Sequence, residues 1–177
     1  IYTNIQMAIE TLQNQVDCFW SSDGLEKAQS FPLGSFIKAY IREHPSPLFK
    51  YEYNFDSTLS SNKMPNVTFS PRALTKVFDN IISNACNHGF EDQESEGNIV
   101  KIEVGTENDT PIINISNNGK PFHKKLTNED VFTYGRSSKT SQSHFGIGGY
   151  EVRFLMREQN GEAEFFSEPE AEFPVKY

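Results

Sequence analysis

Cysteine is scarce in this chain, with Cys18 and Cys86 alone among 177 residues. Two isolated cysteines without metal-ligand spacing look like reduced cytosolic residues, and a single bridge between them is left open. No run of about 18 apolar residues occurs, and no signal peptide is visible, so no membrane span is expected within these residues. Positive charge is also short. Sixteen Lys and Arg stand against 24 Asp and Glu, a net charge of −8. That balance argues against a general nucleic-acid or anionic-membrane surface, and any anionic ligand must be held by a local cluster. What the chain does have is 36% hydrophobic residues, including 15 Phe and 7 Tyr, enough for the packed core of one domain with a small appendage. It opens on Ile1 in the middle of a helical pattern and reads as a piece of a longer protein, whose membrane span, if any, lies elsewhere.

Residues 1–20 place Ile1, Ile5, Ala8, Leu12, Val16 and Phe19 at steps of three and four, a helical apolar stripe of the kind that forms a two-helix seam or lies on a domain's own core. "SSDG" breaks that helix, and Pro32 ends a connector. A second helix is expected over 35–44, stopping before Pro45 and Pro47 because a residue preceding proline is pushed out of the helical region. "FKYEYNF" (49–55) and "NVTF" (66–69) read as strands. Ser70 is a good N-cap with Pro71 at the first helical position, and the helix from there to about His88 buries Leu74, Val77, Phe78, Ile81, Ile82 and Ala85. "EDQESEG" (91–97) is a solvated loop. Strands follow at 98–105 and 111–116, joined by a hairpin-like "TENDT". Residues 117–145 form a Gly-, Ser-, Lys- and Asn-rich segment, too long for a casual connection. A helix over 148–159 and two closing strands complete the chain. Mixed helices and mostly antiparallel strands predict a two-layer α/β sandwich with helices on one face of a mixed sheet.

Three segments carry chemistry. In "FDNIISNACNHGF" a regular helix would put Asn80, Asn84, Asn87 and His88 on one face, opposite the buried residues. An Asn carbonyl is a hard neutral ligand for Mg²⁺, and its NH₂ can donate to phosphate. A solvated polar face would look the same in isolation. In "ISNNGKPF" a strand runs into a turn in which Gly119 lets backbone approach a flat ring, and Asn117 offers an acceptor to an exocyclic amine. "NNG" is also a common surface turn. In "YGRSSKTSQSHFGIGGYEV", Gly146, Gly148 and Gly149 lie at a helix start, where free N–H groups and the helix dipole favour anions. Lys120, Lys124, Lys125, Arg136 and Lys139 form the local positive cluster, against Glu129 and Asp130.

The order of these segments resembles the ATP-binding domain of the GHKL superfamily, specifically the catalytic domain of sensor histidine kinases, over roughly residues 33–177. "NIISNACNH" resembles the asparagine box, "SNNGKPF" the first glycine box, "VFTYGRSS" the phenylalanine box and "GIGGYEV" the second glycine box. The resemblance implies a Bergerat-type sandwich binding ATP and Mg²⁺ beneath a mobile lid over 119–145, with 1–32 as the end of a dimerisation helix and its linker. Asn84 matches the Mg²⁺ ligand and Asn80 the polar residue one turn earlier. The implied nucleotide site comprises Asn80, Asn84, Asn87, His88, Asn117, Gly119, Phe132, Gly135, Arg136, Ser137, Ser138, Lys139, Gly146, Ile147, Gly148, Gly149 and Tyr150. The implied activity is transfer of the γ-phosphate to a histidine on a separate dimerisation domain. A response regulator would follow, in a cytoplasmic two-component system with no nucleic-acid partner.

The sequence departs from that pattern in three places. Asn117 stands where the family usually places an Asp that accepts from the adenine amine, and a neutral acceptor in its place costs on the order of 1 kcal/mol. Asn87 stands where many members carry a phosphate-binding cation. Pro121 replaces the second glycine of the first box and stiffens the hinge of the lid. None of His44, His88, His123 and His144 lies in an N-terminal helix followed by an acid, so the phosphoacceptor is expected elsewhere. Asn80 in place of the general-base Glu argues against a chaperone- or topoisomerase-like ATPase. An anti-sigma-type serine kinase and a non-catalytic docking scaffold remain as alternatives.

Overall fold

The computed structural model describes residues 27–55, 65–90, 96–122, 127–133 and 147–177. The helical stripe expected over 1–20 lies outside them.

The chain enters through β1 (Gln29–Pro32), which pairs antiparallel with β3 (Asn66–Phe69) in a two-stranded sheet. The segment up to Pro32, expected to be a connector, is therefore partly a strand. Four residues are too few to show a period, and the partner strand is distant in sequence. Helix α1 (Leu33–Glu43) buries Leu33, Ile37 and Tyr40 at helical spacing. It ends where the His44 N–H bonds back to the Tyr40 carbonyl, just before Pro45. Strand β2 (Lys50–Phe55) pairs parallel with β4 (Ile99–Glu107), which pairs antiparallel with β5 (Thr110–Asn117). The β4–β5 connection turns on Asn108 and Asp109, both at positive φ, the backbone that a tight two-residue hairpin requires. The closing strands are short, β6 (Phe166–Ser167) and β7 (Val175–Lys176), and the sheet order is β2-β4-β5-β7-β6.

Alternation along β4 shows how the layers form. Val100, Ile102 and Val104 are buried toward the helices, while Lys101 and Glu103 form a 2.8 Å ion pair on the other face. Helix α2 (Pro71–Asn84) starts as expected, with the Ser70 Oγ accepting from the Ala73 N–H and Pro71 at the first position. It buries Leu74, Val77, Phe78 and Ile81 in the same core, joined by Val152 and Leu155 from α4 (Gly148–Glu158). Helices α2 and α4 run antiparallel. The Ser70 N–H donates to Gln159 Oε1 at one end, and Asn80 meets Glu151 at the other. The short helix α3 (Asn128–Val131) carries a capping box between Thr127 and Asp130. No helix among the described residues is long and apolar enough to cross a membrane.

The two-layer α/β sandwich with a mixed sheet is thus the architecture found. The helix expected to run to about His88 does so, and its last turn, Ala85–Gly89, is a π-turn closed by the Phe90 N–H on the Ala85 carbonyl.

Candidate functional site

The site is assembled where the middle of α2 meets the first turn of α4. Asn80 Nδ2 donates to the Lys76 carbonyl and to Glu151 Oε2, both at 3.0 Å. Both amide hydrogens are thereby used, and Oδ1 turns the other way. Asn84 Nδ2 donates to the Tyr177 hydroxyl at 3.3 Å. The two Asn oxygens converge on Gly148. A Cβ there would lie 3.2 Å from Asn80 Oδ1 and 3.6 Å from Asn84 Oδ1. Gly148 opens α4, whose first N–H groups have no partner within the helix and sit at the positive end of its dipole. Acceptors suited to a hard cation and donors suited to an anion thus meet in one place.

Gly149, one residue on, is small for another reason. A Cβ there would lie 2.0 Å from the Val131 carbonyl oxygen, so its missing side chain lets α3 close on α4. Phe132, just after α3, is 2% exposed, with the Arg153 guanidinium 4.5 Å above its ring. Arg153 also grips Glu129 at 2.7 and 3.1 Å, and that pairing holds the Glu129 carboxyl below its usual range.

Asn117, at the end of β5, is 4% exposed and is no surface turn. Its Oδ1 accepts from the Gly119 N–H at 3.1 Å. Gly89 of the π-turn lies directly against it, since a Cβ on Gly89 would stand 2.8 Å from that oxygen. Gly119 is packed as tightly, with a Cβ position 2.6 Å from the Gly89 carbonyl carbon and oxygen. The Lys120 N–H bonds the Gly89 carbonyl at 2.8 Å. The asparagine-bearing helix and the strand-end turn are thus locked together through two glycines. Asn118 has a different task. Its Oδ1 accepts from the Ile99 N–H and its Nδ2 donates to the Gly97 carbonyl, both at 2.8 Å, which ties the turn to the start of β4.

Asn87 and His88 follow Asn80 and Asn84 in the π-turn. Asn87 is exposed and donates to Ser83 Oγ at 3.0 Å, while the His88 ring lies 6.3 Å from that of Phe122. Ile147 is the residue before α4, and Tyr150 stacks over Phe154 at 6.4 Å along that helix. Gly135, Arg136, Ser137, Ser138, Lys139 and Gly146 lie outside the described residues, as do His123, Lys124, Lys125 and His144.

Two participants escaped the sequence reading. Glu151 supplies a carboxylate to Asn80, and Tyr177, at the end of the chain, supplies a hydroxyl to Asn84. Burial raises the Tyr177 pKa, and the Asn84 bond opposes that shift in part. Neither partner stands in the same motif as the asparagine it meets, and only the packing of α2 against α4 and β7 brings them together.

The sequence profile of the family described as histidine kinase-, DNA gyrase B-, and HSP90-like ATPases matches residues 69–176, from the end of β3 to β7. The chain belongs to that family. The fold of this ATPase domain is shared with solved histidine kinase structures. The catalytic domain of the histidine kinase ThkA superposes with a TM-score of 0.63, covering 85% of this chain and 93% of its own, at 16% identity. The mycobacterial sensor histidine kinase MprB gives 0.63, with 84% and 92% covered at 14% identity. The histidine kinase AdeS of Acinetobacter baumannii gives 0.62 at 14% identity, covering 99% of this chain and 80% of its own. At such identities the likeness is one of fold. No curated protein sequence matches this chain.

Proposed function

We propose that this chain is the ATP-binding catalytic domain of a two-component sensor histidine kinase, which transfers the γ-phosphate of Mg-ATP to a histidine on a separate dimerisation domain. The observation that carries this reading is the convergence of Asn80 Oδ1 and Asn84 Oδ1 on the N-terminal turn of α4. Membership of the ATPase family and the shared fold of histidine kinase domains support it.

The donor set suits magnesium. No group of three His, Cys, Asp or Glu side chains converges among the described residues, and the oxygens on offer are neutral amides. An ion that keeps water and takes nucleotide phosphates as ligands needs few donors from the protein. Asn84, with Asn80 beside it, would hold the ion, whose chemistry is to neutralise charge on the phosphates. The α4 N–H groups would bind phosphate oxygens. Asn117, dry and fixed by Gly119, would present its remaining lone pair to the adenine amine. Lys120, Arg136 and Lys139 would add positive charge from the lid.

We place the start of the catalytic unit at β1 rather than at Leu33, because β1 is paired within the fold. The helical segment before it would end the dimerisation domain. A response regulator is the downstream partner in this reading, and the site is cytoplasmic.

Calorimetric titration with a non-hydrolysable ATP analogue tests the proposal. The expected result is saturable micromolar binding that weakens without Mg²⁺ or in Asn84→Ala, with little autophosphorylation by this chain alone. No binding up to millimolar nucleotide would sink the kinase reading and leave a docking scaffold in its place.

A further inference from the structure

Among the described residues, Glu151 is the carboxylate that reaches into the Asn80–Asn84–Gly148 cluster. Its Oε2 accepts from Asn80 Nδ2 at 3.0 Å, and its Oε1 lies 3.8 Å from Lys76 Nζ. The Glu151 side chain is 23% exposed, so the contact is only partly open to water. An Asn amide can be turned through half a rotation with almost no change in shape, so its neighbours must decide which end faces the site. At Asn80 they decide firmly. The Lys76 carbonyl and the Glu151 carboxylate both only accept. Reversing the amide would set its oxygen against two acceptors and leave the nitrogen facing Gly148.

The Lys76 carbonyl belongs to the preceding turn of α2, and a side chain that reaches back to such a carbonyl bonds within its own helix whatever packs against it. The contact from the neighbouring helix is the one that can be gained or lost with the packing of α4. At Asn84 the corresponding neighbour is the Tyr177 hydroxyl, which can donate or accept and so fixes the amide less strictly.

We propose that Glu151 is the positioning residue that holds Asn80 Oδ1 toward the magnesium site, making Asn80 a second metal-facing oxygen beside Asn84. This rests on the magnesium-nucleotide reading above. Glu151 does not touch the ion in this role. It acts through Asn80, as partners behind a metal ligand do when they fix its orientation, and loss of such a partner weakens metal binding by about 10- to 100-fold.

The test compares Glu151→Ala with Glu151→Gln in two measurements. In the metal-free protein, the side-chain amide signals of Asn80 are followed by ¹⁵N NMR. Glu151→Ala is expected to shift them and speed their exchange with water. Glu151→Gln, whose amide oxygen can still accept, is expected to keep them near the wild-type positions. The second measurement is the Mg²⁺ dependence of binding of a non-hydrolysable ATP analogue. Glu151→Ala is expected to raise the Mg²⁺ concentration for half-maximal binding by about 10-fold or more, and Glu151→Gln to restore most of it. A merely structural role would lower the melting temperature and leave the Mg²⁺ dependence unchanged. Should Glu151→Ala fail to fold, Glu151→Ser carries the same expectation, because a serine is too short to reach Asn80. Wild-type Mg²⁺ dependence in the Ala or Ser variant would overturn this inference alone. Absence of Mg²⁺-linked binding in the wild type would overturn the kinase reading and this inference with it.

Discussion

Gly148 and Gly149 are adjacent and identical, and the structure gives them unrelated reasons to be glycine. At Gly148 a methyl group would enter the space before two amide oxygens, at 3.2 and 3.6 Å, without striking backbone. At Gly149 it would strike the Val131 carbonyl. Gly148→Ala is therefore expected to fold with an unchanged or slightly higher melting temperature, since Ala suits a helix better than Gly. It should still lose nucleotide affinity by about tenfold or more, on the order of 1.4 kcal/mol. Gly149→Ala is expected to lose about 1–3 kcal/mol of stability through overpacking, or more if α3 is displaced. Thermal melts and calorimetry on both variants separate the two roles. Equal loss of stability in both would contradict the assignment of Gly148 to the site. From the string "GIGG" alone both glycines read only as part of a helix start that favours anions, because a sequence does not show which backbone approaches which residue.

The element that shapes the site is the π-turn at the end of α2. The turn sets Gly89 against Asn117 and Gly119, where only backbone fits. This contact holds the strand-end turn to the helix and keeps Asn117 dry. Gly119→Ala would put a methyl 2.6 Å from the Gly89 carbonyl group. We expect it to cost about 1–3 kcal/mol and to loosen Asn117. Hydrogen exchange at the Gly119 and Lys120 amides should rise, and nucleotide affinity should fall with it. Retention of both slow exchange and affinity would show that the contact does not position the turn. Most elements were legible beforehand. Ser70 and Pro71 marked the start of α2, Pro45 the end of α1, and alternation marked β2. The π-turn and β1 were not, because both depend on partners distant in sequence.

The whole molecule buries several tyrosine hydroxyls, and this sets its behaviour in alkali. Burial pushes the Tyr51 pKa up to about 12 from 10.0. Tyr40 and Tyr177 are raised as well, chiefly by burial, with the bond from the Tyr40 hydroxyl to Asp79 at 2.8 Å adding to the first. A tyrosine is neutral when protonated, so a raised pKa means that the native state holds the proton more tightly than the unfolded chain. Stability from these groups is complete below about pH 10 and is lost as pH rises toward 12. Denaturant midpoints measured from pH 8 to 12 should fall across that upper window. The Tyr51 hydroxyl is buried without a hydrogen-bond partner among the described residues. Tyr51→Phe is therefore expected to be neutral or stabilising by up to about 1 kcal/mol, and to flatten part of the alkaline fall. Tyr40→Phe, which abandons Asp79, should cost about 1 kcal/mol. A Tyr51→Phe variant less stable than the wild type would show that its hydroxyl has a partner after all. Mg-nucleotide should raise the melting temperature in proportion to the logarithm of its concentration once that exceeds Kd.

The sequence by itself determined the architecture of this protein and the set of segments from which its site is drawn. Local patterning dictates which face of a helix or strand is buried, and the residues that cap or break an element are its own neighbours in the chain. The tertiary structure decided the roles within the site. It turned the Asn80 and Asn84 oxygens toward Gly148, packed Gly149 against α3, and brought in Glu151 and Tyr177. Each of those outcomes depends on a contact between residues on different elements. A side chain's hydrogen-bonding direction is set by the atoms packed against it, and those atoms are not adjacent in the sequence.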